Sequence, residues 1–203
     1  NANCATRTAM RAAAECCRAA AGRLKIPVNR VLPASTGVIG VDLNPKLITQ
    51  ALPKLVRGLD EAKFHEASRA IMTTDRIPKV AFGEIPLRRG VVRIAGMTKG
   101  AGMIHPNMAT TLCFVMTDAA IAPARLRKAL GLAVERSFHR LSVDGDTSTN
   151  DTVLILANGA AGPVDADIFA AALTDLCIDL AQQIVRDGEG ASKFITVRVT
   201  GAA

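Results

Sequence analysis

Apolar residues along this chain follow two spacings, one typical of helices and one typical of short buried strands. After Pro123, large apolar side chains recur every four residues and so lie on one face of a helix. Similar spacing, a high alanine content, or a capping asparagine followed by proline predicts four more helices. The five predicted helices cover residues 5–23, a segment that opens at Asn44 and Pro45, residues 60–71, residues 123 to about 140, and residues 166–186, ended by Gly188.

Short apolar runs predict strands between these helices. The predicted strands cover residues 28–32, 90–95, 111–116, 152–156 and 193–199. The run TLCFVM after Thr110 is partly β-branched, as expected of a strand that is covered on both faces. Because helices and strands mix without a linker or a repeat, we expect one domain with a mixed α/β (α+β) fold, in which helices cover sheets.

Composition indicates a protein of a reducing compartment. Apolar residues make up 49% of the chain but aromatic residues only 3%, so the core is built from small and aliphatic side chains. No run of about 18 apolar residues and no signal pattern is present, which argues against membrane insertion and secretion. The five cysteines are odd in number and lack a C-x-x-C pair, so we expect reduced thiols and a cytoplasmic location.

The formal net charge of +7 raises the question of nucleic-acid binding. The basic residues are scattered, however, with small groups only at Arg88-Arg89 and at Arg125, Arg127 and Lys128. Aromatic side chains that could stack on bases do not interleave with them. We therefore expect a solvated surface that collects anionic small-molecule substrates, and no nucleic-acid partner.

Metal and cofactor motifs are not evident. The segment DGDTSTN (144–150) begins like a calcium loop, but Ile155 stands where such a loop needs a bidentate acid. It is better interpreted as a hydrogen-bonded turn into the following strand. His65, His105 and His139 share no metal-ligand spacing. His105 is close enough to Thr110 in sequence for a role in processing to be a hypothesis.

The sequence KGAGMIHPNMATT joins a glycine-containing loop directly to the predicted strand. Gly100 and Gly102 permit backbone conformations closed to other residues. A hydroxyl residue heading an interior strand after a small residue, as in Ala109-Thr110, suits self-cleavage, because its Oγ can attack the preceding carbonyl carbon. Cleavage would free an α-amino group that titrates near pH ~7.7 to 8, so Thr110 would carry both nucleophile and base. The alternative is an ordinary strand-starting threonine.

Five segments that span nearly the whole chain carry a specific resemblance. They are STGVIG (35–40), MTTD (72–75), GMTKGAGMIHPNMATTLCFVMTDA (96–119), SVDGDTSTNDTVLILANG (142–159) and GEGASKF (188–194). In this order they resemble the ornithine acetyltransferase (glutamate N-acetyltransferase) family of arginine biosynthesis, whose members are self-cleaving N-terminal-threonine enzymes. The resemblance implies a precursor that cleaves itself between Ala109 and Thr110. Thr110 then carries an acetyl group from N-acetylornithine to glutamate in a ping-pong reaction.

The same resemblance implies roles for other polar positions. Thr36 and Gly37 match the family's oxyanion hole, where a glycine lets a backbone N–H approach the reacting oxygen. The substrate-binding residues of the family are matched by Thr73, Lys99, Thr110 and Glu189. A lysine suits a substrate carboxylate, and a glutamate suits the amino end of ornithine. Taken singly, these positions also fit a Ser-Thr-Gly turn, a helix-end hydroxyl, a surface charge and a solvated loop acid.

The implied fold is a four-layer α/β/β/α sandwich, similar in architecture to N-terminal-nucleophile hydrolases. Residues 1–203 would form one portion of a catalytic domain, cleaved into 1–109 of an alpha chain and 110–203 of a beta chain that assemble as a heterotetramer. Since family members extend further both ways, we expect family segments to be missing at both ends. The implied enzyme needs no metal or organic cofactor, and acetyl-CoA is a second donor only in bifunctional members.

Two positions depart from the family pattern. Arg7 stands where a glycine is common, and Thr111 replaces a methionine, which places two threonines side by side; alignment still selects Thr110 as the nucleophile. The runner-up function is an amide hydrolase or aminopeptidase of the same architecture, in which water replaces the amine acceptor. A non-catalytic binding module would require the Ala109-Thr110 bond to stay intact.

Overall fold

A computed structural model describes residues 7–105 and 111–201 of the chain. This part contains five α-helices and one four-stranded sheet. The helices are α1 (Arg7–Leu24), α2 (Pro45–Arg57), α3 (Phe64–Ala70), α4 (Pro123–Arg136) and α5 (Ala166–Arg186). The strands are β1 (Lys79–Pro86), β2 (Val91–Lys99), β3 (Leu112–Ala120) and β4 (Thr152–Pro163). Short 3-10 turns lie at Val28–Arg30, Glu61–Lys63 and Phe138–Arg140.

The sheet has the strand order β1-β2-β3-β4. Strands β1, β2 and β3 run antiparallel, and β4 pairs parallel to β3 after a crossover that contains α4. Lys99 at the end of β2 pairs with Leu112, which in turn pairs with Thr152 at the start of β4. The end of β2 and the beginnings of β3 and β4 therefore meet at one edge of the sheet.

Helix α5 packs against one face of the sheet and forms the core with α4. Four large side chains of α5 are fully buried, namely Phe169, Leu173, Leu180 and Ile184. Gly96 on β2 permits this approach, because a Cβ there would lie 2.8 Å from Leu176 Cδ2 and 2.8 Å from Leu180 Cδ1. Full burial of each such side chain contributes about 1.5 to 3 kcal/mol. The apolar face of α5 therefore holds the helix on the sheet.

Among the described residues, α5 is also the one helix long and apolar enough to suit a membrane span by length and composition. Its side chains Phe169, Leu173, Leu176, Leu180 and Ile184 lie inside the protein core, and core helices of globular proteins pass the same test. The four described cysteines, Cys16, Cys17, Cys113 and Cys177, are free thiols.

The opposite face of the sheet is partly open. Phe82 on β1 is 61% exposed and Leu156 on β4 is 55% exposed. Phe64 of α3 covers part of this face, with its ring centroid 5.4 Å from that of Phe82. The mixed α/β fold that the sequence predicts is confirmed. The second sheet of the expected sandwich is not among the described residues.

Several predicted boundaries are confirmed. Helix α5 has the predicted limits, and Asn44 caps α2, since its side-chain oxygen accepts a hydrogen bond from Lys46 N at 3.0 Å. Asp60 caps the following turn by accepting a hydrogen bond from Ala62 N at 2.9 Å. The repeated apolar residues after Pro123 lie in or against the core, as predicted, but α4 ends at Arg136, and Phe138 lies in the 3-10 turn that follows.

Two predicted strands are wrong. Val28–Arg30 is a 3-10 turn, and the side chains of Val28 and Leu32 are half exposed. Residues 193–199 are not in a strand, and Val197 is 81% exposed. Apolar alternation alone does not make a strand, because the backbone groups need a neighbouring strand as partner. Strand β1 was not predicted, since Gly83 and Pro86 interrupt its pattern as turn residues do.

Candidate active site

Lys99 lies at the end of β2 and is only 2% exposed. Its Nζ donates a hydrogen bond to Thr73 Oγ1 at 3.0 Å. Burial lowers the pKa of Lys99 below its ordinary value, and the carboxylates of Asp75, Asp151 and Glu189 oppose that shift. A buried ammonium group has lost its hydrating water, so an anion that accepts its hydrogen bonds stabilises it. Lys99 is therefore suited to bind an anion.

Glu189 comes from the segment after α5, on the other side of the glycine loop. Its backbone N–H donates to Ala101 O at 2.7 Å, and its carboxylate lies over Gly102. A Cβ at Gly102 would be 2.8 Å from Glu189 Cδ, so a side chain at this position would displace the Glu189 carboxylate. The carboxylate is near enough to Lys99 to influence its pKa. The structure thus brings Thr73, Lys99 and Glu189 together from three chain segments, although their role in binding remains a prediction.

A buried charge cluster lies beneath these residues. Lys79 Nζ lies 2.6 Å from Asp75 Oδ1 and 2.7 Å from Asp187 Oδ2, and all three side chains are at most 2% exposed. Burial tends to raise the pKa of both carboxyl groups, but the hydrogen bonds that each accepts bring both pKa values below the ordinary value. Neither the spacing of these three residues nor the resemblance predicts a role for them.

The glycine loop is fastened to the turn that precedes β4. The carboxylate of Asp144 accepts hydrogen bonds from Met103 N at 2.6 Å, Ile104 N at 2.9 Å and Asp146 N at 3.1 Å. Burial tends to raise the pKa of Asp144, but these backbone donors lower it below the ordinary value. The prediction of a hydrogen-bonded turn at residues 144–150 is confirmed. Within the described ranges, no group of three or more histidine, cysteine or acidic side chains could hold a metal ion.

The head of β3 is held by Asp151. Thr111 N donates to Asp151 Oδ1 at 2.9 Å, and Thr152 N donates to Thr111 O at 2.8 Å. Burial raises the pKa of Asp151, although the Thr111 amide and Lys99 act against it. Thr111 Oγ1 is buried and has no hydrogen-bond partner within the described part of the chain. The predicted cleavage residues, Ala109 and Thr110, lie outside the described residues.

The segment that contains Thr36 and Gly37 is attached to the same turn. Asn150 Nδ2 donates to Ser35 O at 2.9 Å, and the next residue, Asp151, binds the backbone at the head of β3. Thr36 is half-buried and Gly37 is exposed. The candidate oxyanion residues are therefore tied to the strand that follows Thr110, while their role in stabilising an oxyanion remains a prediction.

Sequence reasoning missed the residues that hold this site together. Asp75 and Asp151 lie inside segments that carry the resemblance, and Asp151 directly precedes the predicted strand that begins at Thr152, which is a usable signal. Lys79 interrupts an apolar run. A lysine among apolar residues is the one local sign in the sequence that this side chain is buried and needs an acidic partner. Asp187 is 108 residues away from Lys79, so no local pattern links the two.

Comparison with known proteins gives the family. Residues 1–203 match the ArgJ family. The chain is 50% identical over 181 residues to the arginine biosynthesis bifunctional protein ArgJ of Nitratidesulfovibrio vulgaris. The aligned region covers 87% of this chain and 46% of that protein. It is 50% identical over 211 residues to the protein of that name from Symbiobacterium thermophilum, with 100% of this chain and 52% of that protein covered.

A mitochondrial relative from Chaetomium globosum, also named arginine biosynthesis bifunctional protein ArgJ, is 52% identical over 181 residues; 83% of this chain and 38% of that protein are covered. The chain spans about half the length of the curated relatives it matches. Because the family match covers every residue and about half of the aligned residues are identical, the chain belongs to the ArgJ family.

Proposed function

We propose that the protein carrying this chain is an acetyltransferase of arginine biosynthesis that moves an acetyl group from N-acetylornithine to glutamate. The observation that carries the proposal is the meeting of Thr73, Lys99 and Glu189 at the edge of the sheet where β3 begins. A lysine and a glutamate so placed offer a cation to the substrate carboxylate and an anion to the ornithine ammonium group.

The proposed reaction begins with self-cleavage between Ala109 and Thr110. The freed α-amine takes the hydroxyl proton of Thr110, and Oγ attacks the acetyl carbonyl carbon. Thr36 and Gly37 stabilise the oxyanion, the carbon–nitrogen bond breaks, and ornithine leaves with the proton. The amine of glutamate then attacks the acetyl-threonine ester, which breaks the ester carbon–oxygen bond and returns the proton to Oγ.

The wider assembly belongs to the same proposal. A second sheet packed on the open sheet face, over Phe82 and Leu156, would complete the four-layer sandwich and bury apolar surface. Segments 1–109 and 110–203 are parts of the alpha and beta chains of a cytoplasmic heterotetramer. The names of the relatives describe those proteins as bifunctional, which supports acetyl-CoA as a second donor. The reaction uses no metal or organic cofactor.

Intact-mass measurement of the denatured full-length protein tests self-cleavage. We expect two chains, the second beginning with Thr110, and a single chain in Thr110→Ala. The matched control is Thr111→Ala, which should still be cleaved, because the Thr111 hydroxyl has no hydrogen-bond partner within the described residues. A second chain that begins with Thr111 would move the nucleophile by one residue.

Glutamate dependence separates transfer from hydrolysis. If the acetyl-threonine ester waits for an amine, glutamate should strongly accelerate ornithine release from N-acetylornithine, and mass spectrometry should detect an acetyl group on the chain that begins with Thr110. Release of ornithine at the same rate without glutamate would favour the amide hydrolase. An uncleaved, inactive protein would favour the binding module.

A further inference from the structure

Lys79 connects two carboxylates that come from distant parts of the chain. Its Nζ lies 2.6 Å from Asp75 Oδ1 and 2.7 Å from Asp187 Oδ2, and its side chain has no exposure to solvent. Lys79 opens β1 and pairs with Thr98, the residue before Lys99 on β2. The cluster therefore lies next to the end of β2 that carries Lys99.

Asp75 fixes the lysine side of that site. Besides Lys79, its Oδ1 accepts a hydrogen bond from Gly100 N at 2.7 Å, and its Oδ2 accepts one from Thr73 N at 3.1 Å. Gly100 directly follows Lys99, whose ammonium group donates to Thr73 Oγ1 at 3.0 Å. Asp75 thus holds the backbone at both members of the Thr73–Lys99 pair.

Asp187 fixes the glutamate side. It is the C-terminal cap of α5 and lies two residues before Glu189. Its Oδ2 also accepts a hydrogen bond from Arg76 N at 2.9 Å, and its Oδ1 accepts one from Arg76 Nε at 3.0 Å. Each carboxylate that contacts Lys79 is therefore two residues from a candidate substrate contact.

A buried ion cluster is an expensive way to gain stability, because apolar side chains of similar volume usually stabilise as well or better. What the cluster supplies is a fixed spacing between two loops. We propose that Lys79 is a positioning residue that sets the distance between Lys99 and Glu189, and thereby selects a donor with a carboxylate at one end and an ammonium group at the other. The inference rests on the proposed function for the identity of the donor.

The test compares two donors in the full-length protein: N-acetylornithine and N-acetylnorleucine, which carries a methyl group in place of the ammonium group. The donor ratio is kcat/KM for N-acetylornithine divided by kcat/KM for N-acetylnorleucine. In Lys79→Met this ratio should fall at least about tenfold, the effect of weakening one hydrogen bond to a charged group. KM for N-acetylornithine should rise more than kcat falls.

Asp187→Asn gives a second variant, since Lys79→Met leaves two buried carboxylates without their cation and can fail to fold. It keeps the Lys79–Asp75 contact and removes only the charge near Glu189, so the donor ratio should fall in the same direction. The matched control is Glu84→Gln, which removes the exposed Arg93–Glu84 ion pair of the same sheet and should leave the ratio unchanged. An unchanged ratio in folded Asp187→Asn would overturn the proposal and leave the cluster a structural feature.

A second readout does not depend on catalysis. The rate at which acetic anhydride modifies Lys99, followed by peptide mass spectrometry, should rise several-fold in Lys79→Met, because Asp75 loses its cation and the Thr73–Lys99 pair that Asp75 holds loosens. If the wild-type protein transfers acetyl from neither donor, the proposed function fails and this rate still decides the positioning role. A Lys99 modification rate equal to that of the wild type would then overturn it.

Discussion

The two ends of helix α5 lie in very different surroundings. Its body presents apolar side chains such as Phe169 and Leu180 to the core, and both are fully buried. Its C-terminal cap, Asp187, instead contacts Lys79 and Arg76 in a cluster of charges. Apolar burial stabilises without fixing a unique arrangement, whereas charged groups must be paired atom by atom. From this comparison we infer that the apolar side chains of α5 stabilise the fold, whereas its charged cap Asp187 positions residues of the candidate site.

The largest expected effect belongs to the apolar end. Phe169→Ala should lower the free energy of unfolding by about 3 to 5 kcal/mol, because it removes a fully buried ring and leaves a cavity. Chemical denaturation measures this loss. The neighbouring Ile168→Ala is the control, since Ile168 is 56% exposed and its loss should cost far less. Equal losses in the two variants would contradict the assignment of this end to the core.

A second prediction concerns the site and leaves the core untouched. Thr36→Ala should lower kcat about 100-fold, the usual effect of removing one oxyanion donor, with a smaller effect on KM and on the free energy of unfolding. Steady-state kinetics on fully cleaved protein measures the split. Ser35→Ala serves as the control, because Ser35 contributes its backbone oxygen to Asn150. A change confined to KM would remove Thr36 from the oxyanion hole.

One substitution made at two glycines sharpens the contrast. Gly96→Ala would press on Leu176 and Leu180 and should destabilise by about 1 to 3 kcal/mol with little change in KM. Gly102→Ala would displace the Glu189 carboxylate, and should raise KM for N-acetylornithine about tenfold with a smaller loss of stability. Thermal unfolding and kinetics on both variants provide the comparison. If Gly102→Ala leaves KM unaltered, Glu189 does not bind the donor.

The smallest expected effect is a shift in pH dependence. The proposed contact between Lys99 and a substrate carboxylate requires a protonated lysine, and burial lowers the pKa of Lys99 below the ordinary lysine range, so KM should begin to rise at a pH below that range. Glu189 helps to raise the pKa of Lys99. In Glu189→Gln the rise in KM should therefore begin at lower pH, in addition to any loss of affinity. KM measured across the alkaline range tests this prediction. A pH profile that the substitution does not shift would show that Glu189 has no influence on the pKa of Lys99.

The fold was predictable wherever the signal is local. Helix α5 has the predicted limits because its apolar spacing, its Asp165 cap and the following Gly188 are all close in sequence. Strands were predicted less well, since each needs a partner that the sequence does not name. Residues 193–199 have the composition of a strand, yet they are exposed and lie outside the sheet.

The sequence by itself determined the family, the mixed α/β class and the candidate site residues Thr73, Lys99 and Glu189, because these depend on residue types in a fixed order. Only the tertiary structure decided that these three residues meet and that Lys79 links Asp75 to Asp187 beneath them. The physical reason is the distance along the chain. A charge pair that joins residues 108 positions apart leaves no periodic pattern, and its strength depends on burial that only the folded chain creates.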